Sequence, residues 1–181
     1  MDLKVFMADK NYEKQRSVFM GLKWLLKATL KEAIAPALAC VHVLTGGRIA
    51  ATNGHFAFIM NGVQGLDIEP GVYKPFFYRG IIALVGMEEL TPYNFDKHIE
   101  PPSEETRISD EKYFNRDEFY HLIITKTGLP FNVDYLKDAY RNTEEAGIFF
   151  NPEKRQLLIQ YRDSNSGDIS FLALIMAQEK N

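Results

Sequence analysis

The sequence predicts an α+β fold with two repeated halves, each a helix combined with an antiparallel sheet, and with the helices packed on one sheet face. The order strand, helix, strands occurs twice along the 181 residues, and Asn53-Gly54 between two apolar runs is a strong hairpin signal. With 46% hydrophobic residues, a chain of this length can bury a core of its own. We therefore expect a single domain, with one half at about residues 1–87, an acidic insertion at about 88–118 and a second half at about 119–181.

The first half is predicted to begin with a short strand over residues 3–8 and an amphipathic helix over roughly 14–34. Apolar side chains recur on one arc of this helix and should face the core; they are Val18, Leu22, Leu25, Leu26 and Ala33. Pro36 ends the helix because a proline disfavours helical geometry in the residue before it. Strands are predicted next at 37–44, 48–52, 55–60, 71–78 and 81–87. Pro75 indicates an edge or a break in the fourth of these strands.

Four cations share the opposite face of the first helix, and we call them the cationic stripe: Arg16, Lys23, Lys27 and Lys31. Like charges one helical turn apart repel each other by about 0.2–0.5 kcal/mol per pair. A polyanion would offset this repulsion, and its phosphates would release counterions on binding. A solvated lysine face is an equally common reason for such a pattern, so both interpretations stay open at this point.

The predicted insertion is rich in acids, because residues 88–118 carry ten acidic and four basic side chains together with three prolines. This composition is typical of a surface segment that is partly irregular. Aromatic side chains within it should anchor it to the body of the protein: Tyr93, Phe95, Tyr113 and Phe114.

The second half is predicted to begin with a strand over residues 119–127 and to continue with a helix over 133–142, which Asn132 caps. Its core face should hold Val133, Leu136 and Tyr140. The polar face carries the cations Lys137 and Arg141, but two aspartates on the same face make it locally neutral. The last predicted strands are at 146–151, 156–162 and 168–176.

The formal charge of −3 hides an asymmetry, because residues 1–60 carry a net charge of +4 and residues 61–181 a net charge of −7. These values exclude a generally basic nucleic-acid coat protein but not a local basic surface. The single cysteine, Cys40, lies in an apolar run and is predicted to be a core residue, which fits a reducing compartment. No signal pattern and no apolar run of bilayer length is found, so we expect a cytoplasmic protein without membrane contact.

Catalytic and metal-binding patterns are missing from the sequence. No pair among the four histidines has a zinc-ligand spacing, and the adjacent glutamates fall in predicted loops and turns rather than across a pocket. No glycine-rich loop of the phosphate-binding kind precedes a helix. The sequence therefore predicts no catalytic residue, no metal site and no cofactor.

Three stretches read RIAATNGHFA, FNVDYLKDA and ISFLALIMA, and they are Arg48–Ala57, Phe131–Ala139 and Ile169–Ala177. In this order and spacing they resemble the bacterial sliding clamp, the beta subunit of the replicative DNA polymerase. The family's corresponding pieces are an Ala-Thr-Asp-Gly-His-Arg-Leu turn, a Phe-Asn-x-x-Tyr-Leu-x-x-Ala helix start and a strand ending in Met-Pro. The chain departs from this pattern at three positions, since Asn53 replaces an acid, Phe56 an arginine and Ala177 a proline.

The resemblance implies a non-catalytic, DNA-clamp-like protein whose helices line a channel for duplex DNA. Phosphate contacts would come from the cationic stripe, with weaker help from Lys137 and Arg141, and would be independent of base sequence. A clamp ring contains six such domains, so a single-domain chain would have to assemble as a homo-oligomer. It would serve as a processivity or accessory factor in DNA replication, and a phage or mobile-element origin is a hypothesis.

Two other hypotheses come from different classes of protein. A clamp-like fold could act as a protein-interaction adaptor that does not bind DNA, with the acidic insertion docking the partner. The neutral second helix and the cation lost at Phe56 favour this alternative. The third hypothesis is an enzyme whose site is not visible in a single sequence.

Overall fold

The structure, a computed structural model, describes residues 5–30, 35–61, 68–99, 102–142, 144–162 and 169–178. The described residues form three α-helices and ten β-strands, and their strand pairings are antiparallel, in agreement with the predicted α+β class. The chain divides into two compact units, Met1–Phe95 and Asp96–Asn181. The boundary between the units falls inside the predicted insertion.

The first unit combines a six-stranded sheet with one α-helix. Its elements are β1 (Val5–Asp9), α1 (Glu13–Leu25), β2 (Val41–Leu44), β3 (Arg48–Thr52), β4 (Phe56–Met60), β5 (Gly71–Tyr78) and β6 (Ile81–Gly86). The strands lie in the order β1-β6-β5-β2-β3-β4, and α1 packs against β1, β4 and β6. The predicted hairpin at Asn53-Gly54 is confirmed, as β3 and β4 pair on either side of it.

Helix α1 buries the face that the sequence predicts. Val18, Leu22 and Leu25 are all buried, whereas Leu26, just after the helix, is only half-buried. Trp24 stacks on Phe58 of β4, with ring centroids 4.2 Å apart and the ring planes within 6° of parallel. The apolar side of the helix is therefore fixed on the sheet, and its opposite side faces solvent.

The first helix and the strand after it are both shorter than predicted. Helix α1 gives way to a 3₁₀ turn, Leu26–Ala28, after which Thr29 is extended and its hydroxyl donates to the carbonyl of Leu26 (2.8 Å). Such a side-chain bond competes with continued helix. A second 3₁₀ turn, Pro36–Ala39, has its proline at the first position, where the fixed φ suits the turn, so β2 begins only at Val41. Residues 31–34 of the predicted helix lie outside the described residues.

A two-residue turn, Arg79-Gly80, joins β5 to β6. Both residues have positive φ values, 44° and 87°, and Tyr78 pairs with Ile81 across the turn, which is the geometry of a type I′ hairpin. The left-handed region costs a residue with a Cβ about 1–2 kcal/mol, so Arg79 is strained here. The amide of Lys10 donates to the carbonyl of Gly80 (3.1 Å), which holds the end of β1 beside the turn.

The aromatic end of β5 is divided between two faces of the sheet. Phe77 pairs with the fully buried Ile82, and its ring centroid is 6.2 Å from that of Phe19 on α1. Phe77 therefore lies on the face that α1 covers. Its neighbours Phe76 and Tyr78 point to the other face because successive side chains of a strand alternate.

Pro75 lies where β5 has a neighbouring strand on only one side. The pairing of β5 with β2 covers only Gly71–Tyr73. The carbonyl of Val72 accepts from the amide of Met87 (2.8 Å), so the backbone of Val72 faces β6, and that of Pro75, three residues later, faces away from it. Pro75 has no N–H to donate, and its backbone faces a side of β5 on which no described strand pairs at this position. The predicted edge position is therefore confirmed.

The second unit combines a four-stranded sheet with two α-helices. Its elements are β7 (Arg107–Lys112), α2 (Arg116–Thr127), α3 (Val133–Ala139), β8 (Glu145–Asn151), β9 (Gln156–Arg162) and β10 (Ile169–Met176). The strands lie in the order β7-β8-β9-β10, and the three C-terminal strands match their predicted ranges to within a residue. Two helices followed by three strands differ from the one helix followed by five strands of the first unit, so the predicted repeat is not established.

Residues 119–127, predicted as a strand, belong instead to helix α2. The side chain of Asn115 caps this helix by accepting a 2.9 Å bond from a backbone amide of its first turn, and Gly128 ends it in the left-handed conformation (φ 63°). Phe119 and Ile123, four residues apart, are both fully buried, which is a helical period. The strand prediction was wrong because it followed the β-branched residues of this stretch and overlooked the two caps.

The cap predicted for the following helix is confirmed, whereas the helix itself is shorter. The side chain of Asn132 accepts from the amide of Asp134 (2.9 Å), and α3 already ends at Ala139. Leu136 is buried as predicted, but Val133 is exposed and does not belong to the core face.

The segment 88–118 is more regular than predicted. It contains strand β7, which pairs with β8 and forms an edge of the second unit's sheet. Phe95 and Phe114 are buried, as predicted for anchoring residues, but Tyr93 and Tyr113 are exposed.

Candidate nucleic-acid interface

The described members of the cationic stripe lie on the solvent side of the helical layer of the first unit. Arg16 and Lys23 are on α1 and Lys27 is in the 3₁₀ turn after it, and all three are exposed. The stripe faces solvent because the other side of α1 is packed against the sheet. Lys31 lies outside the described residues, so its place in the stripe stays a prediction.

Positive charge predominates along this helix. Residues 13–28 carry four basic side chains and one acidic side chain, Glu13. Within the part of the chain that the structure describes, Arg16 and Lys23 make no ion pair or side-chain hydrogen bond. Met20 is exposed on the same side between them, so the surface is not purely ionic. Because no internal partner neutralises these cations, their positive potential can attract an external anion.

The two predicted cations of the second unit have acidic partners. Lys137 on α3 bonds Asp134 at 3.0 Å, and both side chains are exposed, so solvent and salt screen the pair. The side chain of Arg141 is only 19% exposed and bonds Glu144 at 2.5 Å, and its guanidinium carbon lies 3.6 Å from the ring centroid of Phe171. Arg141 is therefore held by internal contacts, while Lys137 can exchange its partner.

Helix α2 presents exposed polar groups that the sequence pattern did not predict. Arg116, His121 and Lys126 are exposed on it, but Asp117 and Glu118 balance its two cations. The signal that would have placed these residues on a helix is the pair of caps at its ends. Among the three helices, α1 is the one with a clear positive excess.

The buried histidine of the first unit is held as a structural group. The Nε2–H of His42 donates to the carbonyl of Ala37 (3.0 Å), and its Nδ1 accepts from the amide of Tyr93 (3.1 Å). Burial lowers the pKa of His42, and this effect exceeds the opposite effect of the bond to Ala37.

No three His, Cys, Asp or Glu side chains lie close enough to hold a metal ion within the described ranges. None of the helices there is both long enough and apolar enough to span a membrane.

The chain has the fold of the DNA sliding clamps, as comparison with solved structures shows over nearly all of its residues. It matches the DNA polymerase sliding clamp of Pseudomonas aeruginosa with a TM-score of 0.58 and 8% identity. It matches the pol III beta of Caulobacter crescentus with a TM-score of 0.58 and 11% identity, and the beta subunit from the DNA polymerase of Streptococcus pyogenes with 0.52 and 11%.

These alignments cover a larger share of this chain than of the clamp chains. They include 97–98% of this chain but only 65–67% of the clamp chains, so the chain spans about two thirds of their length. No protein-family model matches the sequence, and no curated protein matches it. The likeness confirms the predicted resemblance at the level of the fold.

Proposed function

We propose that the chain is a non-catalytic, clamp-like protein that binds duplex DNA without sequence specificity through the cationic stripe. The observation that carries this proposal is the exposed row of Arg16, Lys23 and Lys27 on the solvent side of α1, in a chain with the sliding-clamp fold. Contacts between cations and phosphates position a protein on DNA but do not read its bases.

The dimensions of the stripe suit a short stretch of duplex. From Arg16 to Lys27 the rise is about 16 Å at about 1.5 Å per residue, which equals roughly five base-pair steps of about 3.4 Å. Three phosphate contacts would give a slope of about −2.7 for log K against log salt concentration. Binding by one copy would therefore be weak at physiological salt.

Lys137 on α3 and Arg141, which lies beyond the end of that helix, would contribute less than the stripe. Lys137 can move from Asp134 to a phosphate at little cost because the pair is exposed. Arg141 would have to leave a largely buried ion pair and the ring of Phe171. We therefore assign the main contacts to the stripe and a minor one to Lys137.

Several copies would raise the affinity and could enclose the DNA. Linked sites act together, so an assembly of weak sites can bind tightly. Because the chain spans about two thirds of the clamp chains it matches, we propose a homo-oligomer around the duplex. Its role would be that of a processivity or accessory factor.

Charge reversal within the stripe tests the proposal. The variant Arg16→Glu with Lys23→Glu should lose most of its affinity for a short labelled duplex in fluorescence anisotropy, and its salt slope should become shallower by about 2. The matched control is Lys97→Glu with Lys154→Glu, which makes the same charge change at exposed lysines of the second unit. Circular dichroism would verify that both variants stay folded.

Two results would contradict the proposal. One is the absence of duplex binding by the wild-type protein at low salt, which would leave the adaptor hypothesis. The other is an equal loss of affinity in both double variants, which would attribute binding to net charge rather than to the stripe.

A further inference from the structure

Exposed rings and cations lie together on the face of the first unit's sheet that α1 does not cover. Phe76 and Tyr78 are 49% and 64% exposed. The ammonium nitrogen of Lys74 is 5.9 Å from the ring centroid of Phe76, and the guanidinium carbon of Arg79 is 5.1 Å from that of Tyr78. We call these four residues the aromatic surface. Large apolar side chains grouped in solvent mark an interaction site.

Strand register extends this surface beyond β5. Met7 of β1 pairs with Ala83 of β6, and Ala83 pairs with Phe76, so these three side chains lie in one row on one face. Met7 is 58% exposed. The rings therefore border an apolar area that crosses three strands.

The spacing of the two rings suits nucleic-acid bases. Phe76 and Tyr78 are two residues apart on one strand, a separation of about 6.8 Å at about 3.4 Å per residue. Stacked bases are also about 3.4 Å apart, so the gap corresponds to one base between two rings. Each ring can alternatively carry one base on its outer side.

Charges around the rings favour a polyanion. Lys74 and Arg79 lie over the rings, and Lys10 is held beside the turn by its bond to Gly80. The acidic side chain in the same rows is Asp9, which is half-buried and already accepts from the amide of Asn11 (2.8 Å). An arginine kept at positive φ, where glycine would be unstrained, is consistent with a role for its side chain.

We propose that the aromatic surface binds single-stranded nucleic acid, with unpaired bases stacked on Phe76 and Tyr78 and the sugar-phosphate backbone held by Lys74 and Arg79. A peptide that adds as a strand is the competing occupant, and Pro75 disfavours it because β5 offers no N–H at that position of its open side. The proposal is independent of duplex binding, since the cationic stripe is on the helical side of the unit and the aromatic surface on the opposite side of the sheet.

Anisotropy with labelled oligothymidine and oligouridine of equal length tests the proposal and separates DNA from RNA. The wild-type protein should bind at least one of them, and Phe76→Ala with Tyr78→Ala should weaken that binding about tenfold or more. The matched control is Phe77→Ala, which removes a neighbouring exposed ring from the other face of the strand and should change binding less than about twofold. Arg79→Gly keeps the turn, because glycine suits its positive φ, and should make the slope of log K against log salt concentration shallower by about 0.7.

Each contrary outcome has a distinct meaning. Failure of the wild-type protein to bind either oligonucleotide at low salt, or equal binding by the folded double-alanine variant, overturns the proposal. If that variant instead loses self-association in sedimentation velocity while its nucleic-acid binding is unchanged, the surface is a protein interface and the proposal is also overturned. Arg16→Glu with Lys23→Glu should retain single-strand binding, so failure of this proposal can be told apart from failure of the duplex proposal.

Discussion

The imidazole of His42 ties strand β2 to the segment that follows β6. Its Nε2–H donates to Ala37, and its Nδ1 must be unprotonated to accept from the amide of Tyr93. A proton on Nδ1 would set two donors against each other inside a fully buried site. Burial accordingly lowers the pKa of His42 below that of an exposed histidine.

This buried histidine predicts a pH dependence of stability. Because the folded pKa is lower than the unfolded value of about 6.5, the unfolded chain binds the proton first as pH falls. The contribution of His42 to the free energy of unfolding should be complete above about pH 6.5 and decrease as the pH falls below that value. Urea unfolding of the wild-type protein and of His42→Gln from neutral to mildly acidic pH would measure it.

The variant His42→Gln should show a flatter pH profile than the wild-type protein over that range. The control is His55→Gln, which replaces an exposed histidine in the β3–β4 turn. Parallel profiles for the wild-type protein and His42→Gln would show that His42 does not carry the dependence.

At the scale of elements, local sequence signals were sufficient to predict where a strand or helix begins or ends if a turn or a cap fixes that end. Asn53-Gly54 placed β3 and β4, and Asn132 placed the start of α3, because in each case the side chain or the turn acts within a few residues. Helix α2 was missed although Asn115 and Gly128 bracket it, since the β-branched residues between them also suit a strand. The helical conformation buries Phe119, and this tertiary packing outweighs the local preference of the segment for a strand.

Removal of the α2 cap should destabilise the protein measurably. Asn115→Ala should lower the free energy of unfolding by about 1 kcal/mol, because a backbone amide of the first turn loses its acceptor. The control is Asn94→Ala, at an exposed asparagine outside any helix. Equal stability of the two variants in urea unfolding would mean that packing alone holds the start of α2.

The cationic stripe could be predicted from the sequence, whereas the contacts of Arg141 and the aromatic surface could not. The cationic stripe followed from a helical period over one continuous segment, and three of its members are exposed as expected. The contacts of Arg141 could not be predicted, because Phe171 approaches it from a distant strand. The aromatic surface depends on strand pairing and on the Arg79-Gly80 turn, neither of which the run of aromatic residues discloses by itself.

At the scale of the whole molecule, the charge asymmetry coincides with the two units. Residues 1–95 carry ten basic and eight acidic side chains, a net charge of +2, and residues 96–181 carry eleven and sixteen, a net charge of −5. In the proposed homo-oligomer, these opposite net charges would favour contact between the first unit of one copy and the second unit of another. Head-to-tail contacts of this kind close into rings when the rotation permits.

The proposed homo-oligomer makes a prediction about mass and topology. Light scattering should give a molar mass that is a fixed multiple of 20.8 kDa and stays constant once the ring has closed. A closed ring should remain on circular duplex DNA through a salt wash and leave linear DNA of the same sequence. A monomer at high concentration would exclude encirclement, and equal loss from both DNA forms would argue against a ring.

Pro75 also bears on the tendency of the chain to aggregate. An open strand side next to exposed rings is a template on which identical copies can stack into cross-β aggregates. Pro75 removes one hydrogen-bond donor from that template, so an incoming strand could not complete the ladder. The protein can therefore present Phe76 and Tyr78 to solvent without offering an unbroken row of hydrogen-bond donors to a strand from another copy.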